Sequence, residues 1–377
     1  MRLPVLSLAN PAPAAPAFDT GPRSISAVRM LRISLTDRCN FRCVYCMPAD
    51  GVDWLPKFEL LSFEEIVEIA RAAAEVHGIR RFKLTGGEPT VRRDLVDLVR
   101  MLRRSVPDIE DLSMTTNGAL LEDLAGPLRD AGLDRVTVSI DSLKPDRFRR
   151  ITRTGDLDAV MRGLDRAEAV GFDALKINCV TMRGVNDDEL PDFARLTIDR
   201  LVTVRFIEYM PLGDAALIAA PATPRATVDA SEVGPAGGCG AQDRGEDAFI
   251  SEGEVREAIE RELGPLVPVD RSSETGVGPA VVYRLAAPQA AGRVGFISAM
   301  SAPFCATCNR LRLTATGVLR SCLFEGGEVD LKPILRVVAA TQPRRRELLA
   351  GAMTECVRLK PDVHSRHGNE QMSRIGG

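Results

Sequence analysis

A chain of 377 residues with 45% apolar and 27% charged content has the composition of a globular protein, long enough for two domains or for one α/β barrel with an appendage. Its formal net charge of −3 argues against broad nucleic-acid binding, while leaving room for a local basic pocket. No stretch approaches the roughly 20 apolar residues needed to cross a membrane, so neither nucleic acid nor a membrane is expected as a partner.

Residues 1–27 begin Pro/Ala-rich and lack the basic region and long apolar core of a signal peptide. They read as a disordered tail, and the chain as cytoplasmic. From 28 to 212, strand-like apolar runs alternate with amphipathic stretches. Strands are expected at 31–35, 81–84, 112–115, 135–140, 174–180 and 204–209. The first helix opens with Ser62 and Glu65, a capping-box pair, and repeats Ile66, Ile69 and Ala73 at helical spacing. Further helices are expected near 95–104, 121–131, 157–170 and 188–200. Strands separated by helices indicate right-handed βα units and a parallel sheet. Six units predict an α/β fold, an incomplete (β/α)6 TIM-like barrel. Residues 213–247, rich in Ala, Pro and Gly, read as a flexible insertion. Residues 248–377 open with a helix capped by Ser251 and Glu254 and are expected to close the barrel's open side.

Six of the nine cysteines form two triplets: Cys39, Cys43 and Cys46, spaced C-x3-C-x2-C, and Cys305, Cys308 and Cys322, spaced C-x2-C-x13-C. An odd total, close spacing and no secretion signal favour metal thiolates over disulfides. Cys179, Cys239 and Cys356 are isolated and read as incidental. Structural zinc takes four ligands, and a cubane iron–sulfur cluster takes one per iron. Each triplet therefore leaves one metal position open for a small molecule. The first triplet follows the first strand, where a barrel points its loops into the mouth. Thr85-Gly86-Gly87-Glu88-Pro89 ends the second strand, and glycines without Cβ let a backbone edge approach a ligand.

The first triplet, with Tyr45 before its last cysteine, and the Gly-Gly segment resemble the radical S-adenosylmethionine superfamily. That resemblance implies a [4Fe-4S] cluster on Cys39, Cys43 and Cys46 whose free iron chelates S-adenosylmethionine. Reductive cleavage then yields methionine and a hydrogen-abstracting 5′-deoxyadenosyl radical. Further segments resemble the GTP 3′,8-cyclase family: Leu-Arg-Ile-Ser-Leu-Thr-Asp-Arg at 31–38, Val-Arg-Phe-Ile-Glu-Tyr-Met-Pro at 204–211, Phe-Cys-Ala-Thr-Cys-Asn-Arg-Leu-Arg-Leu at 304–313, and the terminal Ile375-Gly376-Gly377. The likeness runs from about residue 30 to the end, apart from the insertion.

What this resemblance implies is rearrangement of GTP to (8S)-3′,8-cyclo-7,8-dihydroguanosine 5′-triphosphate, by hydrogen abstraction at ribose C3′ and attack on guanine C8. This is the first step of molybdenum cofactor (molybdopterin) biosynthesis. It implies a second [4Fe-4S] cluster on Cys305, Cys308 and Cys322 that binds the guanine base. Tyr45, Gly87, Ser139 and Met210 match contacts to S-adenosylmethionine; Arg32, Lys83, Thr115, Lys176, Arg310, Leu311 and Arg312 match contacts to GTP. Arg32, Arg310, Arg312, Gly376 and Gly377 match catalytic positions. Planar guanidinium donors suit phosphate and developing charge, and Arg310 and Arg312 would share one face of a strand. Lys83 stands where many relatives carry arginine, keeping the charge without the bidentate geometry. The implied partners are GTP, a flavodoxin- or ferredoxin-type electron donor, and cyclic pyranopterin monophosphate synthase, which takes the product; monomer and homodimer both stay open. Two other readings remain: a radical enzyme of the same superfamily that modifies a peptide, and a non-enzymatic zinc protein.

Overall fold

The computed structural model describes residues 21–210, 248–270, 278–286, 290–325, 327–338 and 341–364. The expected insertion, residues 1–20, Cys239, Gly376 and Gly377 lie outside them. The six βα units follow in the expected order. Strands β1 (Met30–Ser34), β2 (Arg81–Thr85), β3 (Asp111–Thr116), β4 (Arg135–Ser139), β5 (Ala174–Thr181) and β6 (Val202–Glu208) are successive parallel neighbours. The intervening helices are α1 (Phe63–His77), α2 (Leu95–Ser105), α3 (Leu121–Asp130), α4 (Pro145–Thr152), α5 (Leu157–Ala169) and α6 (Leu190–Asp199).

The first capping box forms as the sequence dictates. Ser62 N donates to Glu65 Oε2 at 2.7 Å, Glu65 N donates to Ser62 Oγ at 3.2 Å, and Gly78 ends α1 in the left-handed region. The helix α4 was not expected. Its eight residues carry four charges, yet Pro145 fits the first turn, and Phe148 and Ile151 bury one face.

The C-terminal region does more than cover the mouth. After α7 (Glu252–Leu263), the strands β7 (Leu266–Pro268), β8 (Val281–Leu285), β9 (Arg293–Ile297), β10 (Arg310–Leu313), β11 (Val318–Arg320) and β12 (Glu328–Asp330) join the same sheet, in the order β12-β11-β10-β1-β2-β3-β4-β5-β6-β9-β8-β7. β10 is parallel to β1 and β9 is parallel to β6. Among the described residues the sheet thus has eight central parallel strands flanked by antiparallel edges, and its outermost strands, β12 and β7, do not pair with each other. Helix α8 (Gln342–Arg358) packs on α1, where the His77 ring faces Ala350 O at 2.9 Å.

Strand alternation separates the two faces. Leu31, Ile33, Phe82, Leu84, Leu112, Met114, Val136, Val138, Ile177 and Val204 are fully buried in the core beneath the helices. Each such side chain contributes about 1.5–3 kcal/mol. The residues between them are polar or cationic and face inward. One expectation is corrected: residues 21–27 are folded, not part of a tail. Ser24 caps a short turn over Ile25–Ala27, Ile25 packs on the core, and Arg23 Nε donates to Lys360 O at 2.9 Å.

Candidate active site

The first triplet sits in a loop clamped from two sides. On one side lies the Gly-Gly segment. Gly87 N donates to Thr36 O at 2.7 Å and Glu88 N to Arg38 O at 2.8 Å. A Cβ on Gly87 would stand 2.4 Å from Arg38 O and 2.5 Å from Asp37 O, so no larger residue fits. The close approach that the glycines permit is therefore to the cysteine loop's own backbone. On the other side lies α4: Arg42 N donates to Thr152 O and Val44 N to Ile151 O, both at 2.9 Å. Tyr45 Oη donates to Asp141 Oδ2 at 2.6 Å, and Val180 N donates to Asp141 Oδ1 at 2.8 Å. Burial pushes the Asp141 carboxyl up to about 6, against the lowering effect of these two donors.

The second triplet is held by the C-terminal region. Cys308 N donates to Cys305 O at 3.1 Å, and Lys360 Nζ donates to Cys308 O at 2.9 Å. Burial would raise the Cys308 thiol, but Arg310 and Lys360 outweigh it and leave the thiol below its ordinary value. Arg310 lies over the Phe304 ring at 4.9 Å. The segment that leads to Cys305 is tied to the barrel by Glu208, which accepts from Met300 N at 2.8 Å, Ser301 N at 2.9 Å, Ser301 Oγ and Glu252 N at 3.2 Å.

All six thiols are free, and all six line one cavity over the inner face of the sheet. Burial raises Cys43 and Cys305 above the ordinary thiol range, and the other thiols of each triplet add to the rise. The thiols of each triplet thus act on one another electrostatically. Among the described residues, no three His, Cys, Asp or Glu side chains converge on a single-ion site. Three thiolates that bind separate irons suit a cluster better than a mononuclear zinc.

The cavity floor is cationic. Arg32 on β1 is in register with Arg312 on β10 and with Lys83 on β2. Thr115, Thr137 and Lys176 form a second row across β3, β4 and β5. These residues, together with Arg310, Ser139 and Met210, line the cavity. Two further cations there, Arg135 and Arg205, were missed from sequence. Arg205 Nη2 donates to Thr137 Oγ1 at 3.4 Å, while its buried Nε has no hydrogen-bond partner. Arg135 Nε donates to Asp111 Oδ1 at 2.6 Å. Burial and then the charge of Arg205 hold Lys83 well below its usual value; burial lowers Arg205 to about 10, and burial with Arg310 lowers Arg312 to about 9. The Leu311 side chain is fully buried in the hydrophobic core, because it alternates with Arg310 and Arg312, so the expected contact to GTP falls to its backbone.

A parallel βα sheet with a three-cysteine loop after its first strand defines a radical S-adenosylmethionine enzyme, and the family described as "Radical SAM superfamily" matches residues 33–197. With that family come a [4Fe-4S] cluster and S-adenosylmethionine. The family described as "Molybdenum Cofactor Synthesis C" matches residues 226–366. The GTP 3′,8-cyclase of Pelotomaculum thermopropionicum is 44% identical, over 93% of this chain and 98% of that one. That of Thermodesulfovibrio yellowstonii is 41% identical, over 92% and 97%. This chain belongs to the GTP 3′,8-cyclase family. Among solved structures, Streptococcus suis SuiB bound to S-adenosylmethionine aligns with a TM-score of 0.44 at 14% identity, over 92% of this chain and 75% of that one.

Proposed function

We propose that the chain converts GTP to (8S)-3′,8-cyclo-7,8-dihydroguanosine 5′-triphosphate, the first step of molybdenum cofactor biosynthesis. The observation that carries this reading is the cationic row, Arg312–Arg32–Lys83, in the cavity that both cysteine triplets line. Cations gathered on one cavity face lower one another's pKa and are relieved by an anion, and a nucleoside triphosphate brings up to four negative charges.

Cys39, Cys43 and Cys46 would hold the cluster that, with S-adenosylmethionine, supplies the one-electron chemistry of hydrogen abstraction. Tyr45, Gly87, Ser139 and Met210 line the same cavity and would seat the methionyl and adenosyl parts. Cys305, Cys308 and Cys322 would hold a second [4Fe-4S] cluster with its open iron toward the guanine base. Arg32, Lys83, Lys176, Arg205, Arg310 and Arg312 would fix the triphosphate and ribose, and the enclosing sheet would keep water from the reacting carbon. A low-potential flavodoxin- or ferredoxin-type protein would deliver the electron in the cytoplasm, and cyclic pyranopterin monophosphate synthase would take the product.

The test is anaerobic incubation with GTP, S-adenosylmethionine and dithionite. Equal amounts of 5′-deoxyadenosine and a cyclised nucleotide are expected from GTP and none from ATP. Unchanged GTP with both clusters reconstituted would overturn the reading, and zinc without sulfide would favour the binding-protein alternative.

A further inference from the structure

Glu88 is buried and lies beyond the Gly-Gly pair, outside the residues assigned above to ligands. Its Oε1 accepts from Thr90 N at 3.0 Å, Thr90 Oγ1 at 2.6 Å and Thr116 Oγ1 at 2.7 Å. Its Oε2 accepts from Asn117 N at 2.6 Å. One carboxylate thereby joins the end of β2 to the end of β3 and fixes the backbone of Asn117. The Asn117 side chain is fixed as well. Its Oδ1 accepts from Ala119 N at 3.1 Å, which assigns the amide orientation. The NH2 group then has one direction to point: it donates to Asn40 Oδ1 at 2.8 Å and to Cys39 Sγ at 3.9 Å. Cys39 also accepts from Phe41 N at 3.3 Å.

We infer that Asn117 is a positioning residue that sets the reduction potential of the first cluster through its amide hydrogen bond to Cys39, with Glu88 holding it in place. N–H donors to a cluster sulfur withdraw charge and stabilise the reduced state, so the potential rises with each donor. The inference rests on the reading that the first triplet carries a cluster. Asn117 approaches from β3, whereas the ligands come from the loop after β1, so substitution need not dislodge the cysteines.

The test is a redox titration of the reconstituted enzyme, following the electron-paramagnetic-resonance signal that responds to S-adenosylmethionine. Asn117→Ser keeps a hydroxyl that can accept from Ala119 N but is too short to reach Cys39. Asn117→Asp keeps the turn and places an acceptor where the donor stood. A potential more negative than native is expected in Asn117→Ser and a further fall in Asn117→Asp, with iron and sulfide per chain unchanged. A native potential in Asn117→Ser would overturn the inference while leaving the cluster reading intact. Loss of the cluster from Asn117→Ser would also overturn it, by making Asn117 structural. Absence of iron and sulfide from the native protein would instead defeat the underlying reading.

Discussion

Arg32 and Arg312 stand opposite each other across β1 and β10, in parallel register, although they come from the two ends of the chain. The pairing brings the second triplet's strand against the first triplet's strand, and it gives both guanidiniums one inward face. If they share one anionic ligand, Arg32→Met and Arg312→Met should each lower kcat/KM for GTP by about thirtyfold or more, roughly 2–3 kcal/mol. Their effects should not add, because neighbours on a common ligand couple by more than about 0.5 kcal/mol. Steady-state kinetics of both single variants and the double variant checks this. Strict additivity would mean separate ligands.

Lys83 offers a test that needs no turnover. Burial and neighbouring cations lower its pKa in the folded chain. Between that value and the ordinary lysine value the unfolded chain binds more protons. Stability of the ligand-free protein therefore rises with pH across that window. An anionic ligand restores the charged form, so GTP binding should take up protons there. Binding heats measured in two buffers of different ionisation enthalpy would reveal the uptake, and Lys83→Met should abolish it. The same variant should stabilise the ligand-free protein by about 1 kcal/mol, since an uncompensated buried charge is removed, while weakening GTP binding.

Much of this site was legible in the sequence, and the gaps have physical causes. The cysteine spacings and the six strands could be read directly, because thiolate ligands and apolar runs leave local patterns. Arg135 and Arg205 were missed because an arginine within a strand usually marks a solvent face. The burial alternation of β6, with Val202, Val204 and Phe206 packed outward, is what turns Arg205 inward, and that pattern was available. The pairing of β10 with β1 was not. A four-residue strand carrying two arginines has little local signal, and its partner is set by tertiary packing. The two-residue period of β10 turns the Leu311 side chain into the core, opposite Arg310 and Arg312.

Gly87 carries a sharp steric prediction. In Gly87→Ala the new Cβ meets two backbone carbonyl oxygens, which no side-chain rotation can relieve. Overpacking of this kind costs about 1–3 kcal/mol, and it falls on the loop that carries Cys39. The variant should melt earlier and keep less iron and sulfide at the first triplet, with the second unaffected. Separate spectroscopic signals for the first cluster and the proposed second one would show which is depleted. Equal retention of both would mean that the loop shifts without disturbing its thiols.

Glu208 makes the complementary prediction for the second triplet. It is 3% exposed and accepts from two backbone N–H groups, a hydroxyl and a third backbone N–H on the segments leading into and beside residues 300–305. Glu208→Ala strands those donors in a buried site, at about 1–3 kcal/mol. The segment between β9 and Cys305 should then loosen, so iron per chain should fall toward that of one cluster, with the first site keeping its response to S-adenosylmethionine. Glu208→Gln should lie between, because its remaining carbonyl oxygen can still accept while its amide nitrogen cannot serve Met300 and Ser301. If Glu208→Ala keeps both clusters, the parallel pairings of β9 with β6 and β10 with β1 are sufficient to hold the second triplet over the cavity, and the carboxylate only adds to the stability of the segments it joins.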